Sequence, residues 1–353
     1  MQNRADTTTL KDRLLDWYDR EGRSLPWRIR PEDRVAGVVA DPYAIWLSEI
    51  MLQQTTVPHA TPYWHRFLEL WPGVENLAAA PREDVMREWA GLGYYARARN
   101  LHACAQMVAG ELNGVFPDTL KGLLALPGVG EYTANAILAA AFNKPASVVD
   151  GNVERVITRF YRVQTALPKA KPEIKRLAAG IACEARSGDY AQAIMDLGAT
   201  VCTPRAPDCE RCPWSTDCQA RAEGDALRYP LKEKKKPKPV RRGFAWLVRR
   251  DRQVWLRTRA DKGLLGGMRE IPSTDWKTEL PDWLPPFADG WTERGEVKHV
   301  FTHFELRLDV REAAAPADWT PCSGDWVSEE TLDMEALPSV MRKVLAVRSR
   351  SGG

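Results

Sequence analysis

The sequence predicts a mainly α-helical protein with a smaller α+β domain at its C-terminal end. Three observations carry that prediction. Apolar residues recur at helical spacing up to about residue 200; four cysteines then fall within seventeen residues; and beyond a Lys- and Pro-rich stretch the apolar period shortens to two. With 353 residues the chain can build more than one full core. Its 44% hydrophobic and 27% charged content is that of a soluble globular protein. Met1 to Leu10 is polar and no apolar run reaches membrane-spanning length, so the expected compartment is the cytoplasm, at the nucleoid. Arg228 to Arg242 carries eight basic residues against Glu233, a net of +7 in a chain of formal net +3, which leaves −4 for the remainder. A nucleic-acid surface elsewhere must therefore be a local patch. The basic stretch itself reads as a solvated linker, with backbone binding as a second possibility. The domains are then expected at 1–227 and 243–353, joined by 228–242.

Leu10, Leu14, Leu15 and Tyr18 place a helix over Leu10–Arg20, which the run Arg23-Ser24-Leu25-Pro26-Trp27-Arg28 ends. A polar loop then runs to Asp41-Pro42. The helix expected from Ala44 to about Val57 holds Glu49 in an apolar stretch. Burial there would raise its pKa and make it a proton donor near neutral pH; a place on the helix's wet face is the plain alternative. Helices follow over Tyr63–Trp71, Arg82–Ala90 and Ala96–Leu112. Between the last two, Gly91 to Arg99 mixes glycines, tyrosines and arginines, which suits a wedge into a base stack but also a core of tyrosines with surface arginines. Leu126-Pro127-Gly128-Val129-Gly130 precedes a helix over Glu131–Phe142. Its backbone N–H groups at the positive helix end form an anion site, or simply a helix-start turn. Asp150 lies just past that helix, where it would face the sugar of a backbone held there by its phosphate. Helices over Val153–Tyr161, Pro172–Arg186 and Tyr190–Leu197 complete this part.

Cys202, Cys209, Cys212 and Cys218 are spaced C-x6-C-x2-C-x5-C. In a chain without an export signal they point to a metal centre rather than disulfides. Zinc ribbons usually bring two C-x2-C pairs, so the single pair favours a 4Fe–4S cluster over zinc. Cys104, Cys183 and Cys322 read as ordinary buried thiols. Past the linker, Gly243 to Arg257 alternates as a hairpin does, and Phe304, Leu306, Leu308 and Val310 mark a half-buried strand. Parity carried back would put Phe301 and His303 on its polar face unless a turn intervenes. Leu332–Val347 reads as a closing helix.

Together, Trp46 to Thr55, Gly91 to Asn100, Leu126 to Thr133, Asp150 to Val153 and the cysteines resemble the helix-hairpin-helix DNA glycosylases that include endonuclease III. With the second domain, the chain resembles the adenine DNA glycosylases of the MutY family from Leu14 to about Val344. The resemblance implies a monofunctional base-excision enzyme acting on double-stranded DNA, as a monomer, at adenine paired with 8-oxoguanine or guanine. Glu49 corresponds to the acid that protonates adenine N7, Asp150 to the carboxylate that stabilises the oxocarbenium-like sugar, and Asn152 to a residue supporting the pair. Trp27, Arg28, Leu52 and Gln192 correspond to the adenine pocket. Gln54 and Tyr94 correspond to residues that fill or pry open the base stack, Gln53, Thr55 and Leu92 to further DNA-binding positions, and Gly128, Val129 and Gly130 to phosphate contacts. The second domain resembles a Nudix fold without the G-x5-E-x7-R-E-x2-E-E box, and Phe301-Thr302-His303 stands where that family has Phe-Ser-His to read 8-oxoguanine. Arg269 stands where an aromatic is common. An endonuclease III-like oxidised-pyrimidine glycosylase/lyase, and a non-catalytic iron–sulfur damage sensor, are the alternatives; both carboxylates argue against the sensor. Tyr132 replaces the lysine with which bifunctional relatives form a Schiff base. Borohydride treatment of protein mixed with mispaired duplex is therefore expected to trap little covalent complex, and abundant trapping would restore the lyase reading.

Overall fold

A computed structural model of the protein describes residues 7–233, 237–260, 263–332, 335 and 337–347. Lys234 to Lys236 of the basic stretch, and part of the expected closing helix, lie outside the described residues, as do the first six residues. The chain divides into two compact units, Met1–Ala80 with Arg99–Lys234, and Pro81–Ala98 with Lys235–Gly353. Among the described residues no helix is long and apolar enough to cross a membrane.

The first unit is helical: α1 Thr7–Glu21, α2 Pro31–Val35, α3 Pro42–Met51, α4 Val57–Leu70 and α5 Val74–Ala79. The short α6 Arg82–Glu88 and the first residues of α7 Ala96–Glu111 fall in the segment grouped with the second unit. Then come α8 Leu120–Leu124, α9 Glu131–Phe142, α10 Gly151–Phe160, α11 Lys171–Gly180, α12 Ser187–Asp196 and α13 Gln219–Ala222. The helix expected to run to Val57 stops at Met51. Its start is firm, with Pro42 in the first turn and Asp41 accepting from the Tyr43 N–H at 2.9 Å. Its end is a turn that puts Gln54 at φ 57°, outside the helical region. The helix expected to reach Arg186 likewise ends at Gly180.

One core joins α1, α10, α11 and α12, from Leu14, Tyr18, Val156 and Ile174 to Ile194 and Leu197. Cys202, Cys212 and Cys218 pack against it, and Trp214, between two of them, is 1% exposed and donates its indole N–H to Leu10 O at 2.9 Å. The thiol-bearing loop is therefore seated on α1. The small residues of α9 have a steric cause: a Cβ on Gly188 would come 2.6 Å from Ala139 O, so α9 and α12 meet almost backbone to backbone. After Asp196 the chain widens into a single π-helical turn, Leu197–Val201.

In the second unit, β1 Val240–Arg250, β2 Gln253–Thr258, β3 Arg269–Glu270, β4 Thr292–Val300, β5 Glu305–Ala314 and β6 Asp325–Ser328 form a mixed sheet. Its order is β3-β2-β1-β5-β4, with β6 on β2; β1 and β5 are parallel and the other pairs antiparallel. Val240, Arg241 and Arg242, read as linker, are the first residues of β1. The expected hairpin is present, turning on Asp251 and Arg252 at φ 47° and 60°. Ala245 and Leu247 face the core completed by α14 Ser339–Ala346. Phe244, Trp246 and Val248 face a second, tryptophan-rich cluster, so β1 is buried on both sides rather than one. The closing helix begins only at Ser339, after Pro338. Cys104 is buried, Cys183 partly so, and Cys322 is exposed, which corrects its reading as a core thiol.

Candidate active site

Nine residues singled out from the sequence line one cavity of 250 Å³ in the helical unit: Trp27, Arg28, Glu49, Leu52, Thr55, Tyr132, Asp150, Asn152 and Gln192. Glu49 enters from the last turn of α3, Tyr132 from the first turn of α9, and Asp150 caps the start of α10. Gln192 is on α12. Ile45, Leu52, Ala136 and Met195 give the wall its apolar part.

The two carboxyl groups have different surroundings. Loss of hydration pushes Glu49 up to about 7, against the pull of Arg28 and a hydrogen bond with the Tyr132 phenol, while Asp150 pushes it further up. Tyr132 is raised well above its ordinary value, chiefly by burial, so it keeps its proton and remains a donor. Arg28 does not collapse onto Glu49, because Asp196 holds it through two bonds of 2.8 and 2.9 Å. Asp196 is 0% exposed and also accepts from Arg23 N and Nε at 2.8 and 2.7 Å. Burial alone would raise the Asp196 carboxyl, but these guanidinium bonds outweigh it and hold it below the usual range.

Asp150 is held by donors. Its Oδ1 accepts the Val153 N–H at 2.7 Å and its Oδ2 the Asn152 amide at 2.8 Å, at the positive end of α10. Asn152 Oδ1 accepts in turn from Arg155 Nη2 at 2.9 Å. The same guanidinium reaches Gly198 O at 2.6 Å and, through Nε, Cys202 O at 2.8 Å. Gly198 is needed as glycine, since a Cβ there would lie 2.6 Å from Asn152 Cβ.

Other expected residues lie outside the cavity. Gln53 donates to Thr133 Oγ1 at 3.2 Å and Gln54 is exposed. Gly128 and Gly130 are exposed before α9, but the Val129 N–H is spent on Leu126 O at 3.2 Å, so the loop presents fewer free donors than its sequence suggests. Leu92 is buried and Tyr94 is 54% exposed at φ 47°. The Arg97 guanidinium braces that loop, donating to Leu92 O and Gly93 O and lying 5.7 Å from the Tyr94 ring. Phe301 to Phe304 form the turn between β4 and β5, closed by a 2.8 Å bond from Phe301 N to Phe304 O. The turn breaks the strand parity: Thr302 and His303 are exposed, whereas Phe301 packs inward against Trp276 at 5.8 Å. The four cysteines line one small cavity with Arg159, whose Nη1 donates to Cys202 Sγ at 3.3 Å. Among the described residues no three His, Cys, Asp or Glu side chains gather closely enough to hold a single ion. Sequence reasoning missed Asp196 and Arg155. Asp196 is one helical turn after Gln192, and Arg155 follows Asn152 by three, spacings that put each pair on one helix face.

A helical unit with a carboxyl-lined pocket behind a glycine turn defines a helix-hairpin-helix glycosylase. Residues 47–182 match the HhH-GPD superfamily of base excision DNA repair proteins, and residues 243–347 match the NUDIX domain. The human adenine DNA glycosylase is 35% identical over 97% of this chain and 74% of its own length. That of Mycolicibacterium smegmatis is 42% identical over 60% of this chain and 69% of its own length. A thermostable thymine-DNA glycosylase superposes with a TM-score of 0.55 at 29% identity, covering 62% of this chain and 97% of the other. The chain belongs to the adenine DNA glycosylase family and is a base-excision-repair enzyme.

The Glu49 shift sets a pH dependence. Its folded value of about 7 lies above the ordinary 4.5, so the native state binds this proton more tightly than the unfolded chain. The stabilisation is complete below the lower value and is lost as pH rises through the upper one. Base excision is expected to fall as pH rises through about 7, and Glu49→Gln to lose less stability than wild type between about pH 5 and pH 8.5 in urea unfolding. A rate that stays flat across that range would place the proton donor elsewhere.

Proposed function

We propose that the protein hydrolyses the N-glycosidic bond of adenine paired with 8-oxoguanine or guanine in double-stranded DNA. The observation that carries this reading is a pair of carboxyl groups in one cavity, one poised to give up a proton near neutral pH and the other capped by donors at a helix N-terminus. With the nucleotide turned out of the helix, protonated Glu49 donates to adenine N7 and makes the base a neutral leaving group. Asp150 faces the sugar, where its charge offsets the oxocarbenium-like transition state and helps orient the attacking water, as in the two-carboxylate scheme of glycoside hydrolysis. Asn152 fixes the Asp150 rotamer, and Trp27, Leu52 and Gln192 enclose the base. Tyr132 has no amine with which to form a Schiff base. Gln54, Thr55, Leu92 and Tyr94 meet the opened base stack, and Gly128 and Gly130 take a backbone phosphate.

The four cysteines would hold a 4Fe–4S cluster. Four thiols around a single cavity fit a cluster in which each iron takes one cysteine. When bound, such a group ties the loop from Cys202 to Cys218 into a rigid unit; Arg159 supplies a donor to the Cys202 sulfur. The protein works as a monomer in the cytoplasm, at the nucleoid, with residues 1–227 carrying the chemistry and 243–353 reading the opposite base. Phe301 backs that reading turn, while Thr302 and His303 offer a hydroxyl and an imidazole to a purine edge.

Anaerobically purified protein is expected to be brown and to contain about four irons per chain; stoichiometric zinc without iron would overturn the cluster. The function is tested by single-turnover reaction with duplexes carrying adenine opposite 8-oxoguanine or guanine, followed by alkali to cut abasic sites. Wild type should cut at adenine. Glu49→Gln and Asp150→Asn should each bind the duplex yet react roughly 10²- to 10⁴-fold more slowly, and His303→Ala should lose preference for 8-oxoguanine. Undiminished excision by Asp150→Asn would mean that another group stabilises the sugar.

A further inference from the structure

Gln192 stands between the cavity and the buried core. Its side chain lines the cavity, while its Oε1 lies 2.6 Å from the Tyr18 hydroxyl. Tyr18 is 0% exposed, on α1, and is not part of the cavity wall. The two helices that carry these residues share one core, where Leu14, Leu15 and Tyr18 pack with Tyr190, Ala193 and Ile194, so the separation of the pair is set by that core. A primary amide has two ends of nearly equal size and opposite hydrogen-bonding sense, and a half-turn exchanges them. Whatever selects one rotation decides what the cavity offers a base.

The surroundings of the phenol select it. Burial raises the Tyr18 pKa, so the hydroxyl keeps its proton. The Arg30 guanidinium lies 4.8 Å from the ring centroid and donates twice to Tyr18 O, and the charge of Arg28 also acts on the phenol. Asp196 opposes the pull of Arg28, with which it is paired, so Arg30 is the cation that favours the negative end of the amide dipole there. The phenol therefore donates and Oε1 accepts.

We infer that Tyr18 is a specificity-determining positioning residue: it holds Gln192 Oε1 toward the core and leaves the amide NH2 as the end turned to the base. The pocket then selects a base with a ring-nitrogen acceptor at that point, and a base presenting N–H there meets donor against donor. This rests on reading the cavity as the adenine pocket. Because N7 is the site of protonation, the nitrogen so read is N1 or N3.

Duplexes with adenine, 1-deazaadenine or 3-deazaadenine opposite guanine test the inference, read as single-turnover excision by four proteins: wild type, Tyr18→Phe, Gln192→Ala and the double variant. Tyr18→Phe removes one oxygen and keeps the ring in the core. Wild type is expected to excise one of the two deaza bases roughly ten-fold more slowly than adenine, beyond any difference in leaving-group chemistry common to all four proteins. In Tyr18→Phe that excess should shrink to less than about three-fold, because the freed amide can turn. In Gln192→Ala the further change at Tyr18 should do nothing to the excess. Gln192→Glu offers Tyr18 an acceptor but has no N–H, and should abolish the excess with Tyr18 intact; it decides the matter if Tyr18→Phe folds poorly. An excess that persists in Tyr18→Phe, or that neither deaza base shows, or that Tyr18 alters without Gln192, overturns the inference. If wild type excises no adenine, the reading of the pocket itself has failed instead.

Discussion

A single buried ion pair, Arg28 with Asp196, governs the chemistry that the helical unit can perform. A guanidinium in a low-dielectric site attracts a nearby carboxylate strongly and would hold Glu49 ionised if it were free to approach. Asp196 takes both of its forks and two donors of Arg23 besides. The Arg28 charge is thereby largely satisfied and its position fixed, so its pull on Glu49 is partial. The Glu49 value near 7 is a balance of burial against two stabilising partners, and each unit of imbalance is worth about 1.4 kcal/mol. Such a balance needs a stiff scaffold. It has one in α12, which carries Asp196 and, one turn earlier, Gln192, and which meets α9 with almost no side chain between them.

The second carboxylate is governed from another direction. Asp150 caps α10, but its rotamer is fixed by Asn152, and Asn152 by Arg155, whose guanidinium also holds Gly198 O and Cys202 O. The π-helical turn after α12 brings Gly198 against Asn152 closely enough to exclude a side chain. The loop bearing the four thiols is therefore tied to the carboxyl-lined cavity through Arg155. What orders that loop also orders Asp150.

Much of this was legible in the sequence because it is local. An ionisable residue in an apolar helix, an Asp three residues before the amide it caps, and a run of closely spaced cysteines each declare themselves within one element. Asp196 does not, since its partners Arg23 and Arg28 lie about 170 residues away in sequence and only the packing of α1 on α12 brings them together. The end of α3 is hidden because its breaker is conformational rather than compositional. Nothing about Gln53-Gln54-Thr55 forbids a helix, yet the chain turns through a left-handed Gln54. Strand β5 is plain because only one of its faces meets the core, whereas the burial of the second face of β1 is not legible from its alternation. For Phe301 the intervening turn, allowed for from the sequence, is what the structure shows, so strand parity does not place it.

The C-terminal unit shows how a Nudix-type sheet can be kept while its charged groups take up structural tasks. Glu270, 1% exposed, is gripped by Arg257 at 2.7 Å and by Arg259. Arg269 bridges Asp325 at 2.7 Å and Glu335 at 3.1 Å. A carboxylate held by two guanidiniums has few lone pairs left for a cation. A different part of the unit, the tip of the β4–β5 turn, presents polar side chains to solvent. There the inward Phe301, stacked on Trp276, stiffens a loop that leaves Thr302 and His303 exposed. Rigid apolar backing with polar groups forward is the arrangement a base-reading surface requires, because the cost of ordering the loop is met in folding and not on binding.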